Sequence, residues 1–406
     1  MNTGGRELAA FRPSLDVDPF SDQFLADPYP DHERLRAAGP VVWLEKYGVY
    51  ASARHAEVQQ ALQNWRTFSS AAGVGLANIQ REASFFRPPS LVLEADPPLH
   101  ERTRPVLALA LSPPALRDLR PKFEAEARAL VDRLVSRGVF DGVTDLAEVY
   151  PIRVFADALG LCEDGREHLL PYAAFLFNAF GPRNQRFEET LRAGEAAREW
   201  VMRQCNRGAL RPGSLGARVF DGVDRGEVSE DEAALLVRSL LSAGLDTTVY
   251  GLGNALFAMA THPEAWAQLH AQPDLARSAF EEALRFESSV QTFFRTTTTE
   301  TELGDVALPA GAKILLFLGA ANRDSRRWEE PDRFDISRKT SGHVAFGYGI
   351  HSCVGQAVAR MEGEIVLKAL AERIERVELA APPVRRLNNT LRGLASLPLR
   401  VTPRRG

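Results

Sequence analysis

Apolar positions recur along most of this chain at three- and four-residue spacing, and along a smaller part at every second residue. The first spacing puts apolar side chains on one face of a helix and the second on one face of a strand. Residues 1 to about 28 follow neither pattern and read as an irregular lead-in. PYPDHERLRAAG reads as a short helix ended by Gly39 and Pro40, VVWLEKYGVYAS as a hairpin turning at Tyr47-Gly48, and HAEVQQALQN as a second short helix. From Thr67 to Leu93 periodicity disappears, and a loop of that length in a compact chain is usually functional or mobile. Helical patterns return over about 113–136, 144–160, 163–180 and 187–206. Ser229-Glu230-Asp231-Glu232 is a capping box opening a pattern that runs to about Thr261, and a further helix spans Pro273 to Phe286. FFRTTTT, ELGDVALPAG and AKILLFLGAAN read as strands, QAVARMEGEIVLKALAERI as a final helix, and the Pro-containing tail as strand. The pattern predicts a mainly α fold with a small β portion (α+β), one domain over 1–406.

Composition narrows the field. With 49 basic against 53 acidic residues the net charge is −4, which excludes a general nucleic-acid binder. Three distant cysteines, Cys162, Cys205 and Cys353, do not make a disulfide framework and suit a reducing compartment. The N-terminal stretch lacks the apolar core of a signal peptide, and no window reaches about 18 uninterrupted apolar residues, so a soluble cytoplasmic protein without a membrane anchor is expected.

Candidate chemistry concentrates at Phe346–Gly355, FGYGIHSCVG, where a glycine-rich loop meets a helix. Cys353 would sit at the helix N-terminus, where free N–H groups favour a thiolate, either a nucleophile or a metal ligand. Gly347 and Gly349 permit left-handed backbone, and with Gly355 they would let a flat, bulky group approach. A zinc site is a poor fit, since no cluster completes four ligands. The long helical pattern carries Ala243-Gly244-Leu245-Asp246-Thr247-Thr248, a glycine, an acid and two β-branched residues that weaken a helix interior. The Thr247 hydroxyl could bond a carbonyl one turn back. On an ideal helix Ser239, Ala243, Asp246 and Thr247 share a face, and Ser239 and Thr247 are about 12 Å apart.

FxxGxHxCxG, matched at Phe346, Gly349, His351, Cys353 and Gly355, resembles the haem-ligand loop of the cytochrome P-450 superfamily of haem-thiolate monooxygenases. The resemblance implies haem b with Cys353 as axial ligand and Phe346 and Gly347 against the haem; in that class the thiolate's electron push favours O–O cleavage. AGLDTT is similar to the family's oxygen-activation motif, so Asp246 and Thr247 are implied as its acid–alcohol pair. Cleaving dioxygen consumes protons, which a carboxylate can relay and a hydroxyl can help to hold. Glu282 and Arg285 match the ExxR pair, with Arg333 as third partner. His100, Arg104, Arg295 and His351 are implied as propionate contacts. Electrons would come from NAD(P)H through a ferredoxin reductase and a [2Fe-2S]-type ferredoxin docking near Cys353, with Arg326, Arg327 and Arg360 as possible contacts. A monomer is expected.

RPPSLVLEADPP, LLPYAAFLFNAFGP, LLVRSLLSAGLDTT, QTFFRTTT and RLNNTLRGLASLP resemble the soluble bacterial group that oxidises para-substituted benzoates such as 4-methoxybenzoate. That implies a small aromatic acid as substrate. Its carboxylate would be held by Arg87, Ser90, Arg238 and Ser239, with Leu93, Phe177, Phe180, Ala243, Val290 and Phe293 around the ring, and Phe175 as a further candidate wall. Oxidative O-demethylation or hydroxylation follows. The alternatives are a peroxide-using haem-thiolate enzyme, a monooxygenase of another small aromatic or a terpenoid, and a non-catalytic haem binder or gas sensor.

Overall fold

The computed structural model describes residues 13–82 and 87–404, so the first twelve residues of the lead-in and 83–86 of the long loop lie outside it. Helices dominate, and their apolar faces meet in one large cluster running from Val92 to Val401. Two smaller clusters cover the faces of a six-stranded sheet ordered Ser14–Leu15, Val42–Leu44, Val49–Ser52, Lys313–Phe317, Thr292–Thr297, Phe68–Ser69. The predicted hairpin is present as Val42–Leu44 antiparallel to Val49–Ser52, turning through Gly48 at φ 61°.

The mainly α expectation holds, and the departures from it have local causes. Pattern 144–160 begins as a π-helical turn, Gly142–Ala147, before the α-helix Val149–Leu159. AKILLFLGAAN is strand only over Lys313–Phe317 and then a helical turn, Leu318–Ala321. Helices Leu215–Asp224 and Pro263–Ala271 emerge from stretches that gave no predicted element of their own.

The long helical pattern is two helices, Glu230–Gly244 and Asp246–Thr261, joined at Leu245 (φ −92°, ψ −63°). The capping box at its start forms as predicted. At the joint, Thr247 Oγ1 donates to the Ala243 carbonyl at 2.6 Å and Thr248 Oγ1 to the Gly244 carbonyl at 2.9 Å. Two hydroxyls thereby satisfy carbonyls that the broken ladder leaves over. Glycine is needed at 244 because a Cβ there would stand 2.4 Å from the Phe155 ring.

Helix Gln356–Arg373 packs on Ala276–Glu287, and a Cβ at Gly363 would lie 2.3 Å from the Phe280 ring. This close approach sets the Glu282–Arg285 helix directly behind the cysteine loop. Part of the long loop is tied down. The half-buried Lys313 donates from Nζ to the carbonyls of Ala72, Gly73 and Gly75 (3.2, 2.9 and 2.8 Å), and desolvation lowers its pKa to about 7. Leu76 N–H reaches the Phe180 carbonyl at 2.8 Å.

Candidate active site

The cysteine loop, the kinked helix pair and the segment Arg87–Arg104 enclose one cavity of about 240 Å³. Cys353, Phe346, Gly347, Thr247, Arg104, Arg295 and His351 line it at one end, and Arg87, Ser90, Leu93, Phe177, Phe180, Arg238, Ser239, Ala243, Val290 and Phe293 line the rest. The structure therefore brings together most residues singled out in the sequence.

The loop is held by Cys353 N–H donating to the Phe346 carbonyl at 2.8 Å. Gly347 and Gly349 both adopt φ 69°, and a Cβ on Gly349 would come within 2.9 Å of the Leu62 carbonyl. The thiol expectation is corrected: burial pushes the Cys353 pKa up, outweighing the N–H groups of Gly355 and Gln356 and the charges of Arg104 and Arg360, which pull it down. A helix N-terminus favours thiolate only as far as desolvation allows. Those same groups are the donors that a metal-bound thiolate requires. Among the described residues no cluster of three or more His, Cys, Asp or Glu side chains could hold a metal ion.

The basic residues fit an anionic flat group. Arg295 is buried, donates one bond to the Phe294 carbonyl at 2.8 Å, and leaves its Nε without a partner; burial lowers its pKa to about 10. Arg104 Nη2 donates to the Ser352 carbonyl at 2.5 Å beside the cysteine. His351 faces Asp96 Oδ1 and the Val92 carbonyl, both at 3.1 Å. Burial would raise the Asp96 carboxyl, but the bonds from His351 and Ser69 hold it below its ordinary value. His100 stacks edge-on behind His351 at 4.7 Å; its Nε2 is buried without a partner, and burial with the neighbouring cations lowers its pKa to about 4. Arg104, Arg295 and His351 line the cavity while His100 stands off the lining, and buried donors with an open N–H fit carboxylates such as haem propionates.

Asp246 departs from the ideal-helix expectation. Ser239, Ala243 and Thr247, four residues apart, line the cavity, whereas the kink leaves Asp246 buried off the lining. Its Oδ2 has no partner, and burial raises its pKa to about 7. A carboxyl poised there can give and take a proton at neutral pH.

Three further expectations need correction. Arg333 does not join the Glu282–Arg285 pair: its side chain is exposed and bonded to Glu330 at 2.9 Å, and only its carbonyl accepts from Arg285. The third partner is Arg338, whose Nε lies 3.2 Å from Glu282 Oε1. Arg87 lines the cavity but its charge is engaged by Glu94 in a buried two-pronged pair (2.7 and 3.1 Å). Glu94 lies seven residues away across an aperiodic turn, so no spacing announced it. Phe175 packs against Phe187 in the core and does not line the cavity. The aromatic wall is Phe177, Phe180 and Phe293, in edge contacts of 5.8 and 5.9 Å.

At the end remote from Cys353 the polar groups converge. Ser90 Oγ and Ser239 Oγ are 3.2 Å apart. Arg238 is buried and bonded to the Pro88 and Pro89 carbonyls (2.9 and 3.3 Å), with Nη1 unpartnered. No carboxylate among the described residues bonds it. Of the possible ferredoxin contacts, Arg326 is half-exposed and paired with Asp324, Arg327 lies over Trp328, and Arg360, whose charge acts on Cys353, is bonded to Glu281 and stacked on Phe346.

A helical fold in which a half-buried cysteine, the Thr247 hydroxyl and the basic side chains Arg104, Arg295 and His351 line one cavity defines a haem-thiolate enzyme. Comparison with known proteins gives the family. Residues 214–399 match the family model described as Cytochrome P450. The chain is 55% identical over 392 residues to cytochrome P450 CYP199A2 of Rhodopseudomonas palustris (96% of this chain, 95% of that one). It is 36% identical over 415 residues to a beta-dihydromenaquinone-9 omega-hydroxylase of Mycobacterium tuberculosis (98% and 81%). The structure of cytochrome P450 CREJ in complex with (4-ethylphenyl) dihydrogen phosphate aligns with TM-score 0.86 at 26% identity (95% and 99%). The chain belongs to the cytochrome P450 family and is a monooxygenase. Among its described residues no helix is long and apolar enough to cross a membrane.

Proposed function

We propose that this monooxygenase inserts one oxygen atom from O2 into a C–H bond of a small aromatic acid, a para-substituted benzoate such as 4-methoxybenzoate. The observation that carries this reading is the polar end of the cavity: Arg238 with an open Nη1 beside the Ser90–Ser239 hydroxyl pair, about 12 Å along the helix from Thr247. A benzoate carboxylate satisfies all three, and charge-assisted bonds are the strong ones. Phe177, Phe180, Phe293 and Val290 then flank the ring and direct the para substituent toward Cys353. CREJ, with its para-ethylphenyl phosphate, pairs a para-alkyl aromatic with an anion in the same fold. Of the implied carboxylate contacts, Arg87 acts in this reading through Glu94, shaping the loop that carries Ser90, whose N–H donates to Glu94 at 2.9 Å.

Haem, when bound through Cys353, supplies dioxygen activation and C–H oxidation. Arg104, Arg295, His100 and His351 would hold its propionates. Thr247 presents its hydroxyl to the cavity, and Asp246 holds the proton behind it. Oxidation of a methoxy carbon gives a hemiacetal that releases formaldehyde and the phenol, with the second oxygen atom leaving as water. Two electrons come from NAD(P)H through a reductase and a [2Fe-2S] ferredoxin docking near Cys353. Reconstitution with such a ferredoxin and 4-methoxybenzoate should release formaldehyde and 4-hydroxybenzoate in equal amounts, dependent on NADH and O2. Product with peroxide but none with reduced ferredoxin overturns the electron route, and no product from either overturns the substrate.

A further inference from the structure

Asp246, Tyr250 and Asn254 are spaced four apart and form a polar stripe on a helix that is otherwise almost wholly apolar. None of the three lines the cavity. The stripe faces the hairpin of Val384–Leu387 and Arg392–Ser396. Asn254 Nδ2 donates to the Arg392 carbonyl at 2.9 Å. The Tyr250 ring lies so close to Gly393 that a Cβ there would stand 2.1 Å from it. Arg386 is directly across the hairpin from Gly393. Its Nη2 meets Glu148 Oε1 at 2.9 Å. Glu148 immediately precedes helix Val149–Leu159. The side chains of Arg386 and Glu148 are 35% and 20% exposed, so this row of groups runs from solvent inward to Tyr250, one helical turn from the buried acid. Asn254 is bonded, and Asp246 keeps one oxygen open.

We propose that Arg386, held by Glu148 and opposite the Gly393 on which Tyr250 packs, is the positioning residue that governs the charge on Asp246 from the helix face turned away from the substrate. Neither Arg386 nor Glu148 touches the cavity. The Arg386 cation favours the carboxylate form of Asp246, while Glu148 opposes it and tempers the cation. Tyr250 stays protonated, because burial and the neighbouring acid raise its pKa. The arrangement separates proton control from substrate binding: one face of the kinked helix reads the aromatic acid and the other sets the acid's readiness.

An ion pair that merely pinned the hairpin would be lost equally from either side. A field acting on Asp246 changes sign with the partner removed. The carboxyl C=O infrared band of Asp246, obtained as wild type minus D246N in the haem-loaded protein without substrate, gives its titration midpoint. R386Q should raise that midpoint by roughly one pH unit and E148Q should lower it, with the double variant returning near wild type. R386K keeps the charge and should stay near wild type. The optimum for the fraction of NADH electrons reaching product should move with the midpoint. Midpoints that shift the same way in R386Q and E148Q, or that do not move, overturn the proposal. Should R386Q not fold, R386K and E148Q decide it alone. The consequence for turnover rests on the proposed role of Asp246, but the midpoint is read without substrate, so failure of the aromatic-acid reading leaves a separate result.

Discussion

Two acids buried to the same degree behave differently in this molecule. Glu282 is bonded through both oxygens to Arg285 (2.7 and 2.8 Å), and further to Arg338 and the Asp335 N–H. Asp246 keeps one oxygen open and is held near neutrality by burial. The first is a closed network that fixes the helix behind the cysteine loop. The second is an unfinished one, and an unfinished buried group is where chemistry can be done. The same contrast separates two arginines at the far end of the cavity: Arg87 is closed by Glu94, and Arg238 is open.

Breaking the closed network should have the largest effect. Arg285→Ala leaves Glu282 buried without its main partner and should cost about 3–5 kcal/mol, seen as a large loss of thermal stability and of soluble protein. Breaking the open group should spare the fold and stop the work. Asp246→Asn should lower turnover about 100-fold while substrate affinity is unchanged. It should also change the pH dependence of stability. Below about pH 4 Asp246 is protonated folded and unfolded, so the two proteins match. Between about 4 and about 7 the unfolded chain ionises while the folded carboxyl does not, so wild type loses stability as pH rises. The advantage of Asp246→Asn should reach up to about 4 kcal/mol at pH 8, read by unfolding across pH.

The arginine pair sharpens the contrast at smaller scale. Arg238→Leu should weaken binding of aromatic acids about tenfold to a hundredfold, with neutral isosteres little affected. Arg87→Leu should instead destabilise the protein, because it strands Glu94 in the interior. The smallest effect belongs to Arg333→Ala, whose exposed side chain pairs with the equally exposed Glu330; its unfolding should stay within about 0.5 kcal/mol of wild type.

What could be read in the sequence follows from range. Local signals were legible: the capping box at Ser229, the Tyr47-Gly48 turn, the helix break near Gly244 and the loop around Cys353 all lie within a few residues of their cause. Recognised motifs placed residues in one cavity that the chain separates by hundreds of positions. Pairing was not legible, because Glu94 beside Arg87, Arg338 beside Glu282 and Arg386 beside Glu148 are tertiary meetings that no periodicity marks. The thiol shift was misjudged for a related reason, since helix-end donors are visible in a sequence and burial is not.

The central claim is a cavity that reads a carboxylate at one end and presents the para position to a cysteine-ligated haem at the other. Titration of the haem-loaded protein with 4-methoxybenzoate, following the Soret band, tests it most directly. The same sample should first show the thiolate-type spectrum when reduced with CO. The account predicts a saturable change of spin state with the acid, a much weaker one with 4-methoxytoluene, and loss of that preference in Arg238→Leu. An unchanged Soret band with 4-methoxybenzoate, or equal responses to the acid and its neutral isostere, would contradict it.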